Sequence, residues 1–470
     1  MRILHTLGGP AAFLVLAALP LGTAPYPVRA SLGLLVWMAW WWVAEPVHLA
    51  VTALLPIVVL SLFNFMPVTA ILPAYSEQLV ILILGANMLA TLWKRWGLDR
   101  RIALVSLLGL GTGTRQHLVV WFVIAAILSS VLPNAVVAAA MMPIVLAMLR
   151  FVGIEHVGKS AFGSALLIAI AWGTSVGGAG TPLGGAHNLL AVQFIERELV
   201  DHEFLFTTWL ARVLPVTVLM AIASALFMRY GFAPEMERVE GSRTYFKDQL
   251  ASLGSLTPPE RWGLLFFVTA TLLAFTRQFY AALLPGLAPA FVFLSFAVLS
   301  FAVRYKGEPL LTWEYAEKHM VWGLIYLFAG GSALGQVLSE TGTAKFLAER
   351  LIPLASGGGF TAIAVFSLLS FVVTQITSNT ATVAIMVPIT ISTFQSLGLN
   401  PIPFVYVVTA AANCGLALPA SSAGPAIAAG YGVNLKTMLL RGIWLTAILW
   451  MLLVAFGYLA WRFWPGFGVA

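Results

Sequence analysis

The chain has 470 residues, of which 60% are apolar and only 9% are charged. This composition is typical of a polytopic membrane protein and excludes an ordinary soluble enzyme. The single cysteine, Cys414, excludes an intrachain disulfide framework and a multi-thiolate metal site. The net charge of +7 does not indicate a nucleic-acid partner, because excess Lys and Arg residues in a membrane protein mark its cytoplasmic loops.

Apolar segments follow one another along the sequence. They lie at residues 10–22, 31–46, 48–64, 78–93, 118–149, 160–195, 208–228, 262–283, 287–303, 321–338, 360–397, 402–432 and 438–461. Segments 118–149 and 360–397 are uncharged and too long for one membrane crossing, which needs roughly 20 residues. We predict that both are re-entrant hairpins, with tips at Pro133-Asn134 and Ser378-Asn379-Thr380. The other eleven segments are predicted to span the membrane in an all-α fold.

Two of the spanning segments are interrupted by glycine and proline clusters. The cluster in 160–195 runs from residue 177 to 185, and the cluster in 402–432 runs from 419 to 424. We predict a helix that is unwound near its middle in each case. Non-helical backbone at membrane depth is tolerated only where it faces protein or a cavity, so these breaks and the hairpin tips indicate a binding site.

The distribution of basic residues predicts the topology. With the N-terminus inside, 18 of the 25 Lys and Arg residues lie inside and 7 lie outside, as the positive-inside rule requires. The prediction is a multi-pass protein of the cell (inner) membrane with a cytoplasmic N-terminus and an extracellular or periplasmic C-terminus. Residues 229–261 become a cytoplasmic linker.

The two halves of the chain resemble each other. An offset of 245 residues aligns 79–144 with 324–389 without a gap, and it pairs Asn134 with Asn379. After an eight-residue gap, an offset of 237 pairs Gly178 with Gly415. Because five crossings separate the hairpins, the repeats 1–228 and 262–470 are predicted to have opposite orientations, with an inner hairpin in the first and an outer hairpin in the second. Inverted repeats with paired interruptions are the pattern of a secondary transporter.

Several motifs resemble one known family. The runs Trp-Trp-Val-Ala-Glu at 41–45 and Thr-Ala-Leu-Leu-Pro at 52–56 resemble the second and third helices of the divalent anion:sodium symporters, the solute-carrier-13-like family of the ion transporter superfamily. Gly-Ala-Asn at 85–87 and the run at 96–104 are similar to its fourth helix and interfacial arm, and 378–380 matches the second of its two Ser-Asn-Thr tips. The resemblance covers nearly the whole chain. It implies a homodimer, an elevator-type transport domain, and sodium-coupled transport of dicarboxylate- or sulfate-type anions.

The chain also departs from the family pattern. The first tip reads Pro133-Asn134-Ala135 in place of Ser-Asn-Thr. The first break reads Gly-Gly-Ala-His-Asn at 184–188, where the family has a hydroxyl residue, two prolines and an asparagine, and the second reads Ser-Ser-Ala-Gly-Pro at 421–425. These departures concern the substrate contacts and one of the cation sites.

The resemblance implies sodium sites at the two hairpin tips. A hydroxyl residue stands five positions before each tip asparagine, Ser129 before Asn134 and Thr374 before Asn379. Sodium takes oxygen ligands, which unwound backbone and helix ends supply. The predicted sodium ligands are Ser129, Asn134 and Gly180 at the first site, and Thr374, Asn379 and Ala417 at the second. The second site is the more complete one, because Pro133 replaces a serine at the first.

Four broken-helix ends are expected to hold the anion. Each helix N-terminus carries about half a positive charge and free N–H donors, so a dianion needs no buried Lys or Arg. The predicted substrate contacts are Asn134, Thr181, Gly185, Asn188, Ser378, Asn379, Thr380 and Ser422. His187 is either a proton or substrate site or a neutral histidine bonded to a carbonyl. Glu45 is either a proton site or a helix cap, and Arg277 is predicted to snorkel at the outer membrane face.

The sequence therefore predicts a secondary active transporter of small divalent anions, with a dicarboxylate favoured over a sulfate-type anion and with sodium as the coupling ion. An anion exchanger and a proton-coupled transporter of the same fold are the alternatives. A cation antiporter or oxyanion efflux protein is less favoured, because such proteins are expected to have acidic residues that the hairpins lack. The metalloprotease motif His-Glu-x-x-His is absent from the sequence.

Overall fold

The computed structural model describes residues 2–20, 22, 24–107, 111–239, 242–355 and 359–469. It is mostly helical, at 77%. The helices of the described residues are α1 (Arg2–Ala18), α2 (Tyr26–Ala44), α3 (Leu49–Thr52), α4 (Leu55–Phe63), α5 (Val68–Ile71), α6 (Gln78–Trp96), α7 (Leu98–Leu107), α8 (Thr114–Ser129), α9 (Asn134–Phe151), α10 (Ala161–Gly178), α11 (Ala186–Glu198), α12 (Phe206–Tyr230), α13 (Ser242–Ser252), α14 (Pro258–Phe275), α15 (Arg277–Tyr280), α16 (Pro289–Ala302), α17 (Trp313–His319), α18 (Trp322–Glu340), α19 (Thr343–Ala355), α20 (Gly359–Ile376), α21 (Asn379–Ser396), α22 (Ile402–Ala412), α23 (Ala423–Gly430) and α24 (Leu435–Phe463). Strands β1 (Arg304–Tyr305) and β2 (Glu308–Pro309) form a small antiparallel hairpin.

Six helical stretches in the described part of the chain are long and apolar enough to cross a membrane. They are Val68–Trp96, Asn134–Phe151, Ala161–Gly178, Phe206–Tyr230, Gly359–Ile376 and Leu435–Phe463. A seventh is obtained if α17 and α18, which meet at 64°, form one bent span. Other apolar helices are shorter, so the total of eleven spans stays a prediction.

Both predicted hairpins are present as helix pairs. Helices α8 and α9 are joined by residues 130–133, and α20 and α21 by residues 377–378. The first turn ends at Pro133, whose ring favours the position just before a helix. In the second, the side chain of Ser378 caps α21 by accepting from Ala381 N at 3.2 Å. The helices begin and end within four residues of the predicted limits 118–149 and 360–397.

The segment 160–195 is broken between α10 and α11, as predicted. Residues 179–185 leave the helix, and their backbone groups need partners inside the molecule. Asn188 supplies two of them, because its Nδ2 donates to the carbonyls of Gly178 at 2.7 Å and Thr181 at 2.8 Å. The Thr181 hydroxyl donates to Ser130 O and accepts from the backbone N–H groups that follow it, at 183 and 184.

The segment 402–432 is broken between α22 and α23. Gln375 of helix α20 provides hydrogen-bond partners for the backbone groups of this break. Its Oε1 accepts from Leu416 N at 3.1 Å and Ala417 N at 2.9 Å, and its Nε2 donates to Cys414 O at 2.8 Å. Both breaks are therefore fixed by side-chain amides that replace the missing helical hydrogen bonds.

Helix α10 lies at the centre of the molecule, and its residues from 162 to 178 are all buried. A Cβ atom on Gly177 would lie 2.1 Å from the carbonyl oxygen of Ala126 in α8. A Cβ atom on Gly424 of α23 would lie 2.8 Å from the carbonyl oxygen of Ala171 in α10. Glycine thus lets three backbones approach closely, as at small-residue helix contacts in membranes, and this brings hairpin and broken helices together.

The segment 48–64 does not form the single span that the sequence predicts. It consists of α3 and α4, separated at residues 53–54. Pro56 near the start of α4 has no N–H to continue the helix. The carbonyl of Ala53, which the break leaves free, accepts from the hydroxyl of Tyr75 at 2.6 Å.

The predicted linker 229–261 contains more structure than a polar loop. Helix α12 continues to Tyr230, α13 forms within the linker, and α14 already begins at Pro258. Phe246 of α13 is fully buried, and its ring centroid lies 6.0 Å from that of Trp121 in α8. The amphipathic α13 therefore packs against the inner hairpin.

Arg277 does not snorkel at the outer face as predicted. Its side chain is only 4% exposed, and its Nε lies 3.1 Å from the carboxylate of Glu203. The guanidinium also donates to Leu284 O and Pro285 O. A buried Arg needs such partners, so Arg277 holds neighbouring loops together.

Candidate functional site

A cavity of about 660 Å³ lies between the two hairpin tips, the two helix breaks and the facing sides of α6 and α18. The tips contribute residues 133–135 and 378–380, and the breaks contribute 183–187 with Pro419 and Ser422. The exposed side chains of Glu45 and His48 also line it, together with residues 320–324. Because Glu45 and His48 are accessible to solvent, we take this side as the cavity mouth.

Four helices begin at the cavity. Helices α9, α11, α21 and α23 start at Asn134, Ala186, Asn379 and Ala423, and each of these residues lines the cavity. The first N–H groups of a helix have no intrahelical acceptor, and the helix dipole adds partial positive charge. No Lys or Arg lines the cavity in the described part of the chain. The cavity can therefore attract an anion through backbone groups alone.

At the inner tip, Ser129 and Asn134 form a polar contact with the broken helix α10. The Ser129 hydroxyl lies 2.5 Å from Asn134 Oδ1 and 3.0 Å from Thr174 O. A Cβ atom on Gly178 would lie 2.6 Å from Asn134 Oδ1. Glycine at this position lets the amide rest directly on the end of α10.

At the outer tip, Thr374 and Asn379 form the corresponding contact with α22. The Thr374 hydroxyl donates to Ala412 O at 2.6 Å. One atom of the Asn379 amide lies 2.9 Å from Thr374 Oγ1, Ala412 O and Ser421 O. Since Ala412 O and Ser421 O can only accept, that atom is the Nδ2 donor. The amide oxygen of Asn379 is consequently left free of these three neighbours.

The pairing of a hydroxyl with an asparagine, predicted from the 245-residue offset, is present at both tips. Both hydroxyls also reach a carbonyl near the end of a broken helix, Thr174 O in one case and Ala412 O in the other. Oxygen atoms therefore gather at two equivalent places, and oxygen is the ligand type that a hard cation requires. At the inner tip the amide oxygen of Asn134 belongs to this group and the arrangement fits sodium. At the outer tip the Nδ2 group of Asn379 lies among the oxygens, so sodium fits there once the amide turns over.

Most of the predicted substrate contacts line the cavity. They are Asn134, Gly185, Ser378, Asn379, Thr380 and Ser422. The Ser422 hydroxyl lies 2.9 Å from the Ser175 hydroxyl. His187 also lines the cavity, and its Nε2 lies 2.6 Å from Asn413 Oδ1. Its partner is thus a carbonyl oxygen, that of a side-chain amide.

The predicted sodium ligands Ser129 and Thr374 lie outside the cavity lining, and so do four further predicted site residues. Thr181 and Asn188 do not line it, because their polar atoms satisfy the backbone of the first break. Gly180 faces α12, where a Cβ atom would lie 3.3 Å from Leu214. Ala417 is buried, and its N–H donates to Gln375 Oε1. In this structure the polar atoms of Thr181 and Asn188 bond the backbone, and their contact with substrate stays a prediction.

Three polar residues that bear on the site were not among the predicted contacts. Asn87 lines the cavity and donates to Val321 O at 3.2 Å, Gln375 holds the second break, and Asn413 bonds His187. Each is a single amide within a mostly apolar helix, which is a weak sequence signal. Glu45 occupies the C-cap position of α2 with φ of 45°, in agreement with the helix-cap alternative.

A helical membrane protein with paired helix breaks and hairpin tips around one internal cavity has the architecture of a secondary transporter. The family profile described as the sodium:sulfate symporter transmembrane region matches residues 7–465, and the chain belongs to this family. The resemblance to the divalent anion:sodium symporters is thereby confirmed. The family and the relatives found are transporters and not enzymes.

The curated relatives include the sodium-dependent dicarboxylate transporter SdcS of Staphylococcus aureus. The proteins of strains RF122 / ET3-1 and NCTC 8325 / PS 47 are each 29% identical to this chain over 432 residues, which cover 89% of this chain and 83% of theirs. Similarity to these two proteins thus extends over most of both chains.

Two solved structures share the fold. The YdaH transporter of Alcanivorax borkumensis matches with a TM-score of 0.55 and 14% identity, covering 94% of this chain and 100% of that chain. MtrF of Neisseria gonorrhoeae, described with a class of antimetabolite efflux pumps, matches with a TM-score of 0.52 and 15% identity, covering 96% and 97%. At these identities the likeness concerns the fold alone.

Proposed function

We propose that the chain is a sodium-coupled secondary transporter of small divalent anions, with dicarboxylates as the favoured class. The observation that carries this proposal is the meeting of four helix N-termini at one cavity without a lining Lys or Arg. Such a cavity favours negative charge. The naming of the SdcS relatives as sodium-dependent dicarboxylate transporters supports the choice of substrate and ion.

The site residues divide between the two ligands. Asn134, Gly185, Ser378, Asn379, Thr380 and Ser422 contact the anion through side chains and first-turn N–H groups. Ser129 binds sodium with the amide oxygen of Asn134 and the nearby carbonyl of Thr174. Thr374 binds sodium with nearby carbonyls and with the Asn379 amide, which turns its oxygen toward the bound cation. Bound sodium would place positive charge beneath the tips, so cation and anion binding reinforce each other. This mutual stabilisation is the physical basis of coupling.

Alternating access follows an elevator movement of the hairpins and broken helices past a scaffold that includes α6 and α18. In the topology with a cytoplasmic N-terminus, Glu45 and His48 lie on the cytoplasmic side, so this conformation faces inward. The two halves act as inverted repeats, and two copies of the chain form a dimer through their scaffold helices.

An anion exchanger or a proton-coupled transporter is the second candidate. It is favoured by the inner tip, where Pro133 and Ala135 supply no hydroxyl oxygen to a cation. The uptake experiment separates the candidates. Counterflow of a dicarboxylate that needs no sodium, together with uptake that a sodium gradient does not stimulate, would indicate exchange in place of symport.

The experiment is uptake of labelled succinate into proteoliposomes that contain the purified chain. We expect an inward sodium gradient to stimulate uptake over a matched potassium gradient and over protein-free vesicles. Asn379→Ala is expected to abolish uptake, because it removes the donor to Ser421 O and Ala412 O and a ligand of both substrate and sodium. Ser378→Ala is expected only to weaken it. Uptake by Asn379→Ala at the wild-type rate would remove the tip from the site.

A further inference from the structure

The imidazole of His187 is the least explained polar group in the cavity. It belongs to the second residue of α11, lines the cavity, and is only 4% exposed. Its ring lies against Gly185, where a Cβ atom would be 2.3 Å from His187 Cε1 and 3.0 Å from Nδ1. A glycine at 185 therefore provides the space in which the ring sits.

A chain of amides determines which ring nitrogen carries the proton. Asn188 Nδ2 donates to two carbonyls of the break, so its Oδ1 is the acceptor for Asn413 Nδ2 at 3.1 Å. Asn413 Nδ2 also donates to Thr409 O at 3.0 Å. Asn413 therefore presents its Oδ1 to His187, at 2.6 Å from Nε2. Since an amide oxygen only accepts, Nε2 of His187 is the donor.

A neutral imidazole has one N–H group, so the Nδ1 atom of His187 is left as an acceptor. No residue in the described parts of the chain bonds this atom. Nδ1 is also not among the fully enclosed side-chain atoms that have no hydrogen-bond partner. Because Nδ1 is not fully enclosed and the side chain of His187 lines the cavity, we take Nδ1 to be accessible from the cavity. The four ion pairs of the described residues do not include His187, so no carboxylate there favours a charged ring.

We propose that His187 is a specificity-determining residue that selects anions carrying their own O–H donor. The lone pair of Nδ1 repels a bare carboxylate, whereas a substrate hydroxyl can donate to it. The substrate class is then a dicarboxylate with a hydroxyl substituent, or one with a protonated carboxyl group that offers the same O–H. This inference rests on the anion transport proposed above and concerns only the choice among anions.

The test compares succinate with malate, which differ by one hydroxyl group, in proteoliposomes under a sodium gradient. We expect the wild type to have a KM for malate about two- to tenfold below that for succinate, the range of one neutral hydrogen bond. His187→Phe keeps an aromatic ring and removes both ring nitrogens, so no acceptor remains at the Nδ1 position and the two KM values should become equal. His156→Phe, at an exposed loop residue, is the matched control and should keep the malate preference.

The pH of the assay separates the two sources of the donor. If the donor is a carboxyl proton, acidification should increase succinate uptake by the wild type and not by His187→Phe. If it is an alcohol, the malate preference should not depend on pH. Should His187→Phe be unstable, His187→Gln, which retains a donor for Asn413, is the second variant, and the shifts in thermal unfolding produced by the two acids should differ less for it than for the wild type.

The outcomes are distinct. A wild-type preference for succinate, equal KM values that do not depend on pH, or a malate preference that survives in His187→Phe would overturn the role of His187 alone. Failure of the wild type to take up either acid, with sodium or by exchange, would overturn the proposed function and this inference with it.

Discussion

Ser129 and Thr374 hold equivalent positions at the two hairpin tips, yet their surroundings differ. Each hydroxyl contacts a tip asparagine and a carbonyl of a broken helix. The tip above Thr374 has serine and threonine beside its asparagine, whereas the tip above Ser129 has Pro133 and an alanine. The two proposed cation sites are therefore expected to contribute unequally to sodium dependence.

Substitution of the two hydroxyls measures this inequality. Thr374→Val keeps the shape of the side chain and removes one oxygen ligand, so we expect the sodium concentration for half-maximal uptake to rise roughly tenfold or more, as for one interaction with a charged group. Ser129→Ala is expected to have a smaller effect. The measurement is uptake against sodium concentration, with thermal unfolding in sodium-free buffer to correct for stability. Equal shifts in the two variants would show that the sites are equivalent.

The two helix breaks show how an element can interrupt its hydrogen bonds inside a membrane. Unpaired backbone groups cost several kcal/mol each in an apolar interior. A break therefore persists only where side chains replace the lost hydrogen bonds of the helix. Thr181 and Asn188 do this from within the first break, and Gln375 does it for the second from a neighbouring helix. These residues shape the site without lining the cavity.

Thr181→Val tests this structural role. The hydroxyl of Thr181 bonds Ser130 O and two backbone N–H groups, so its loss should lower the free energy of unfolding by about 1–3 kcal/mol. The KM for substrate should stay near the wild-type value. Thermal unfolding and uptake measure the two effects.

Thr271→Val is the matched control, because the Thr271 hydroxyl is buried and has no hydrogen-bond partner in the described residues. It should leave the unfolding midpoint unchanged or raise it. If Thr181→Val instead raised KM strongly at unchanged stability, Thr181 would be a substrate contact after all.

At the scale of the whole molecule, the cavity has its mouth at one end. Glu45 and His48 are exposed there, and the proposed topology puts this end in the cytoplasm. The outer end is closed by the contact of α11 with α18. There the Gln193 amide donates to Ser332 Oγ at 2.8 Å, and a Cβ atom on Gly335 would lie 2.1 Å from the ring of Phe194.

Cysteine labelling tests orientation and conformation together. The native Cys414 is buried, so a cysteine introduced at an exposed position should be the reactive one. Glu45→Cys should react with a membrane-impermeant maleimide in inside-out vesicles and not in right-side-out cells. Asp201→Cys, in an exposed loop assigned to the outer face, should show the reverse. Labelling of both residues from the same side would contradict the proposed topology.

The sequence by itself determined where the chain turns and breaks. A long run without charge cannot cross once, and a glycine–proline cluster cannot remain helical, so the hairpins and both breaks could be located. The offset of 245 residues also paired the tip asparagines with their hydroxyls. The break at Pro56 was missed, because the segment 48–64 has the length of an ordinary span.

Tertiary structure alone decided which polar atoms face the cavity. Thr181 and Ser422 are both hydroxyl residues in a helix break, yet only Ser422 lines the cavity. The proton of His187 is fixed by Asn413, more than 200 positions further along the chain. A polar side chain in an apolar segment must find a partner. Whether that partner is the backbone beside it or a bound anion depends on how distant helices meet.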